Sequence, residues 1–370
     1  QFPNVGTGMD LPLLDWLKTY TFPVEAKFAD LSYARRVYRK LARDLIANGT
    51  TRVCMFSSLH TDATLVLMDE LERAGVTGFV GKVNMDRNGG ENLQETTGDS
   101  IRETQRWLKE CSRFTHIKPI LTPRFTPACT DELMAALGKI SAEKGLYVQS
   151  HLSENLDEIA WVRSLHPDCA QYWESYDKFG LWKSHTVMAH CIHSDERERT
   201  AIREAGVVVA HCPDSNINLC SGIAPVREML NEGIHVTLGT DIAAGSSLAG
   251  SRMVTMSIQA SKVRSFTDPA HPAFLTVPEA YYLGTTSGHR YFGAGSGFTP
   301  GDRLHAVVVD DRSFTETPWA LSLPERLERA LYTMNAANIT AVWSEGRLVH
   351  THEAKPVREH RTRIVARGAK

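Results

Sequence analysis

The chain has 370 residues, 42% of them hydrophobic and 23% charged, with a formal net charge of −2. That is ordinary for a globular protein large enough to bury a core without staples, and the lack of a basic excess argues against nucleic acid or an acidic membrane surface as partner. Seven irregularly spaced cysteines include no C-x-x-C pair, which excludes a zinc ribbon or a thioredoxin-type pair and points to a reducing, cytoplasmic setting.

Residues 1–30 read as a loop with a short amphipathic piece, where Leu11, Leu14, Trp16 and Leu17 mark a helical turn or two before Pro23. From about Ser32 an alternation begins. A helix over YARRVYRKLARDLIANG is followed by strand TRVCMFS and helix TDATLVLMDELERAG. Strand GFVGKVNM, a Gly-rich loop and helix ETTGDSIRETQRWLKEC come next, then strand IKPILTPRF and helix DELMAALGKISAEKG. Strand LYVQSHL precedes helix ENLDEIAWVRSLH, and strand TVMAHC precedes helix DERERTAIREAG. Strand VVVAHCP leads through a loop to helix PVREMLNEG, and strand HVTLGTD leads to helical stretches at about 250–264 and 278–290. The strands are short, apolar and β-branched, as strands buried on both faces should be. Gly49, Gly75, Gly145, Gly206 and Gly233 stand at the helix stops.

Strand then helix, seven times over, predicts an α/β fold of the (β/α)8 TIM-barrel type. The chain opens with a loop and a helix, so the first barrel strand is expected immediately before Gln1. Residues 1–294 are read as the barrel carrying strands two to eight. Residues 295–370, rich in turns and in β-formers such as LHAVVVDD and ITAVWSEGRLVH, are read as the carboxyl-terminal part of a small β domain. No stretch approaches the roughly 18 apolar residues of a membrane span, and no basic segment followed by an apolar one marks a leader.

Four consecutive strand-like runs carry His151, His190, His211 and Asp241 at their carboxyl ends. One histidine in an apolar strand is ordinarily a hydrogen-bonded core residue. Three with an aspartate on one barrel rim instead suit a divalent metal that activates water. Glu154, three residues past His151, is placed to move a proton there, although a first-turn glutamate is also favoured by the helix dipole. Ser153 beside it reads equally well as a helix N-cap. Arg124 and Phe125 end strand IKPILTPRF. An arginine there suits a carbonyl or carboxylate of a substrate and an aromatic suits a ring, with a structural salt bridge as the alternative. Neither the P-C-x-x-C of the small zinc deaminases nor the G-x-S-x-G of serine hydrolases occurs.

Taken together, QSHLSEN, MAHC, HCPDSN and LGTD resemble the amidohydrolase superfamily. TPRF, DLPLLDWLKTYTFP and LGTDIAAG narrow the likeness to its guanine deaminase family, over nearly the whole chain. The resemblance implies hydrolytic conversion of guanine to xanthine and ammonia, with one zinc, or another divalent ion such as iron, per subunit of a homodimer. It implies His151 and Asp241 as metal ligands, and Glu154, His190 and Asp241 as catalytic groups. Gln1, Arg124, Phe125 and His151 are implied to bind substrate, with His211, Asp214 and Asn216 shaping the surroundings. The family's His-x-His pair does not occur in the chain. It is expected a few residues before Gln1, the chain being part of a longer enzyme and poorly stable alone because a missing strand leaves open sheet edges. The competing readings are another ring deaminase or chlorohydrolase of the superfamily, and a catalytically silent barrel scaffold.

Overall fold

A computed structural model describes residues 1–90, 92–267, 273–295 and 298–352. Its core is one continuous run of parallel strands. β1 (Arg52–Phe56) pairs with β2 (Thr77–Gly81), and β2 with β4 (Ile117–Pro119); β3 (Val83–Asn84) pairs with β5 (Thr122–Pro123). A bridge between Leu121 and Val148 carries the sheet on to β6 (Gln149–Leu152). Then β6, β7 (Val187–His190), β8 (Val208–His211) and β9 (Val236–Leu238) pair in that order. Each of the seven expected strands is present, two of them divided into short pieces, and a helix follows each, the TIM-barrel arrangement. Among the described residues β1 and β9 each have a strand on one side only.

The helices follow from pattern and punctuation. Leu31–Ala47 is capped by Asp30, whose carboxylate accepts the amides of Ser32 and Tyr33, and it buries Tyr38, Leu41, Leu45 and Ile46 on one face. Two large apolar clusters fill the space between strands and helices. One gathers Leu41, Leu45, Leu67, Met68, Trp107 and Ile117. The other gathers Leu133, Leu137, Tyr176, Met188, Val209 and Val236. The five glycine stops all have φ between +63° and +83°, the left-handed backbone that ends a helix. Gly78 (φ +125°) is dictated more strictly, since a Cβ there would lie 2.1 Å from the carbonyl oxygen of Val53 on the neighbouring strand.

Three sequence expectations are corrected. The segment after VVVAHCP, read as a loop, forms helix Pro213–Asn218 with proline at its first position, where a missing amide costs nothing. GFVGKVNM is two short strands broken at Lys82, whose ammonium turns aside to pair with Glu95 at 2.7 Å. The variable stretch near the end contains helix Leu323–Thr333, opened by a Ser322/Glu325 capping box. This helix accompanies an antiparallel sheet of β10 (Ala306–Val309), β11 (Ile339–Ser344) and β12 (Arg347–Thr351). Of the expected second domain, residues 296–297 and 353–370 lie outside the described residues. No described helix is long and apolar enough to cross a membrane.

Candidate active site

Register brings the chemistry together. Leu152 pairs with His190 and Ala189 with Ala210, so His151, His190 and His211 stand at nearly one level at the carboxyl ends of adjacent strands. The rim is also where the backbone departs from ordinary geometry. Ser153, His190, Cys191 and Asp241 have φ of +48°, +74°, +49° and +42°, a region non-glycine residues enter only when their surroundings impose it.

Hydrogen bonds fix the imidazoles. Nδ1 of His151 lies 2.6 Å from the carbonyl oxygen of Arg124; a carbonyl only accepts, so Nδ1 carries the proton and Nε2 is left with its lone pair. Desolvation, then the neighbouring His190, lowers the His151 pKa to about 4. The His190 ring stacks beside it at 5.5 Å, and its Nδ1 donates to Oδ1 of Asn216 at 2.8 Å. Nε2 of His190 lies 3.5 Å from Oε2 of Glu154, close enough for the pair to exchange a proton. Burial, then His190, holds the His211 pKa down at about 3, and its Nδ1 has no hydrogen-bond partner.

Glu154 is 4% exposed, and its Oε1 lacks a hydrogen-bond partner. Burial, followed by the negative charge of Asp241, drives its carboxyl well above the usual range. Asp241 accepts from Ser215 Oγ at 2.5 Å. The donor set of His151 Nε2 with Asp241 fits a divalent ion in part: two neutral or anionic ligands of the right type face one mouth. Among the described residues no three His, Cys, Asp or Glu side chains close such a site by themselves.

The remaining expected residues divide. Phe125 is buried and meets the His151 ring edge-on at 6.5 Å. Arg124 is almost fully buried and gripped at both ends of its guanidinium by Glu25, at 2.6 and 3.3 Å, with the Phe22 ring 5.0 Å from its carbon. The salt-bridge alternative therefore holds for Arg124, and it holds inside the site, because Gln1 also reaches Glu25. Burial opposes the Glu25 charge, while the Arg124 guanidinium, foremost of its partners, favours it, and the carboxyl lies below its ordinary pKa. Asp214 ties the loop ahead of Gly250–Thr267, accepting the amide and hydroxyl of Ser246, each at 2.7 Å. Ser153 is not the N-cap; Asn155 is, with Glu158 completing a capping box. Sequence reading passed over Glu25, Glu158 and Tyr176. The only signal for Glu25 was a single acid in an apolar stretch, and a glutamate three residues after Asn155 was the signal for Glu158.

With this geometry the similarities to known proteins can be weighed. Residues 2–349 match the amidohydrolase family. The guanine deaminase of Dictyostelium discoideum is 40% identical over 84% of this chain and 70% of its own length. The guanine deaminase of Mus musculus is 37% identical over 94% of this chain and 80% of its own length. Among solved structures, the guanine deaminase of C. acetobutylicum, with guanine bound in its active site, superposes with a TM-score of 0.91 at 44% identity, covering 94% of this chain and 83% of that one. A barrel whose histidines and acids stand at adjacent strand ends, matched along almost its full length, makes this chain a member of the amidohydrolase family.

Proposed function

We propose that this protein is a guanine deaminase, an aminohydrolase that replaces the exocyclic amino group of guanine by water oxygen and releases xanthine and ammonia. The observation that carries the reading is Glu154: a buried carboxyl with a free oxygen, 3.5 Å from the His190 imidazole, in a chain similar to an enzyme seen holding guanine. His151 and Asp241 are the residues that would hold a divalent ion, zinc foremost and iron as the alternative, which supplies a Lewis acid that lowers the pKa of a water molecule.

Glu154 takes the proton of the attacking water as the new C–O bond forms at the amino-bearing carbon. It hands that proton to the adjacent ring nitrogen; the remaining proton of the added hydroxyl, taken up by Asp241, passes to the amino group, so the C–N bond breaks with ammonia leaving as the new carbonyl forms. Its raised pKa suits a group that must both accept and return a proton. His190, oriented by Asn216, polarises the reacting centre. Phe125 packs against the base, and Arg124, steadied by Glu25, directs an N–H towards a purine carbonyl with Gln1 close by. A homodimer in the cytoplasm is the setting we infer, and the seven unpaired cysteines suit a reducing compartment.

Purified protein, with its metal content determined, tests the reading by release of xanthine and ammonia from guanine. Stoichiometric release supports it. Turnover of another aminated or chlorinated ring with guanine untouched, or no turnover in metal-loaded protein, overturns it.

A further inference from the structure

Behind Glu154 lies a second buried carboxyl that the mechanism does not use. Glu158 is 1% exposed. Its Oε2 accepts the backbone amides of Glu154 at 2.9 Å and Asn155 at 3.2 Å, and its Oε1 accepts the hydroxyl of Tyr172 at 2.7 Å. Tyr172 stacks on Tyr176, whose hydroxyl donates to the carbonyl of His151 at 2.8 Å and meets Ser150 Oγ at 2.9 Å. A path of hydrogen bonds and ring contact thus runs from the turn carrying Glu154 back to the strand carrying His151.

The other side of the turn is braced as well. The amide of His193 donates to the carbonyl of Ser153 at 3.0 Å, and Cys191 N–H to that of Leu152 at 2.9 Å. Glu198, 2% exposed and bonded to Ser194 Oγ at 2.6 Å, faces Ser153.

Capping alone does not require this arrangement. Among the described residues two other capping boxes are closed by glutamate, at Thr276/Glu279 and Ser322/Glu325. The Glu279 side chain is 38% exposed and Glu325 lies on the surface, so both keep their solvation while capping. Glu158 gives up its water and gathers two amides and a phenol instead, a costly placement for a carboxyl. The two amides it holds belong to Glu154 and to the residue after it, next to a Ser153 backbone in the left-handed region. We propose that Glu158 is a positioning residue for Glu154, its buried carboxyl pinning the strained turn so that the Glu154 side chain points at the reacting centre. The inference rests on the role given to Glu154 above.

The test compares Glu158→Ala and Glu158→Gln in the full chain. Glutamine keeps an acceptor oxygen for the two amides, and alanine keeps none. Two readouts are taken: amide hydrogen exchange over residues 152–157, which needs no activity, and steady-state turnover of guanine. We expect Glu158→Ala to speed exchange at least about tenfold and to lower kcat about 10- to 100-fold with KM within about twofold. Glu158→Gln should bring both back to within about threefold of the parent protein. Unchanged exchange with kcat within about twofold in Glu158→Ala overturns the proposal, as does a rise in KM at constant kcat or a glutamine variant as impaired as alanine. Should Glu158→Ala not fold, Tyr172→Phe removes the bond that orients Glu158. It should move exchange and kcat in the same direction by a smaller factor, and no movement in either overturns the proposal. A parent protein inactive on guanine would fell the functional reading, while the exchange data would still decide whether Glu158 pins the turn.

Discussion

Glu25→Ala is the most informative single perturbation of the substrate-binding side. Glu25 is 3% exposed and Arg124 5%, and their two contacts at 2.6 and 3.3 Å are the bidentate geometry that makes arginine–carboxylate pairs strong. Removing the carboxylate leaves a guanidinium buried and unpaired, which costs about 3 to 5 kcal/mol in comparable sites. For 370 residues the unfolding entropy is about 0.8 kcal/mol per kelvin, so 3 kcal/mol lowers Tm by about 4 °C. Arg124 then loses its brace, and a guanidinium free to seek water no longer presents a fixed N–H to the purine, so KM for guanine rises about tenfold, or about 1.4 kcal/mol. Glu25→Gln retains one acceptor and should fall between parent and alanine on both scales. Calorimetry and initial rates read the two effects separately. A Glu25→Ala protein with unchanged Tm and unchanged KM refutes the reasoning, because the pair would then be neither a stabilising contact nor a support for substrate binding.

Glu154→Gln should lower kcat by about 10³-fold or more while metal content, read by elemental analysis, stays at the parent value, because glutamine cannot carry the proton and is not the ligand. Glu158 and Glu198 make stability depend on pH. Burial, followed for Glu158 by the nearby Glu154 and offset for Glu198 by its hydroxyl hydrogen bonds, pushes both carboxyls up to about 7. A carboxyl whose folded pKa is raised holds its proton more tightly when folded. Its stabilising contribution is complete below about 4.3 and lost as pH climbs through about 7, by about 3 to 4 kcal/mol per group at most. Thermal unfolding between pH 5 and about 8 should show Tm falling with rising pH, with a shallower slope in Glu198→Gln; an identical slope in that variant would rule out Glu198 as a source.

Much of this architecture was legible because its signals are local. Apolar β-branched runs marked the strands, glycines marked the helix ends, and His151, His190, His211 and Asp241 stood out as polar residues closing apolar runs. What was not legible depends on distance. Arg124 meets Glu25 across 99 residues of sequence, and no periodicity encodes such a pairing. The break of GFVGKVNM at Lys82 likewise waits on Glu95, thirteen residues away. Other misses were legible in principle. Pro213 is well suited to the first position of a helix, Ser322 and Glu325 spell out a capping box, and Asn155 followed by Glu158 outranks Ser153 as a helix start.

The left-handed backbones of Ser153, His190, Cys191 and Asp241 set a limit on engineering. Each such non-glycine residue costs about 1 to 2 kcal/mol, and the simplest remedy, glycine, would recover that energy at the price of the imidazole or the carboxylate. At His190 and Asp241, the two of these positions that carry the chemistry, gains in thermostability and gains in turnover pull in opposite directions. A search for hardier variants should therefore leave the rim alone and draw on exposed helix faces, loop conformations and caps, where no residue needs to be uncomfortable to be useful.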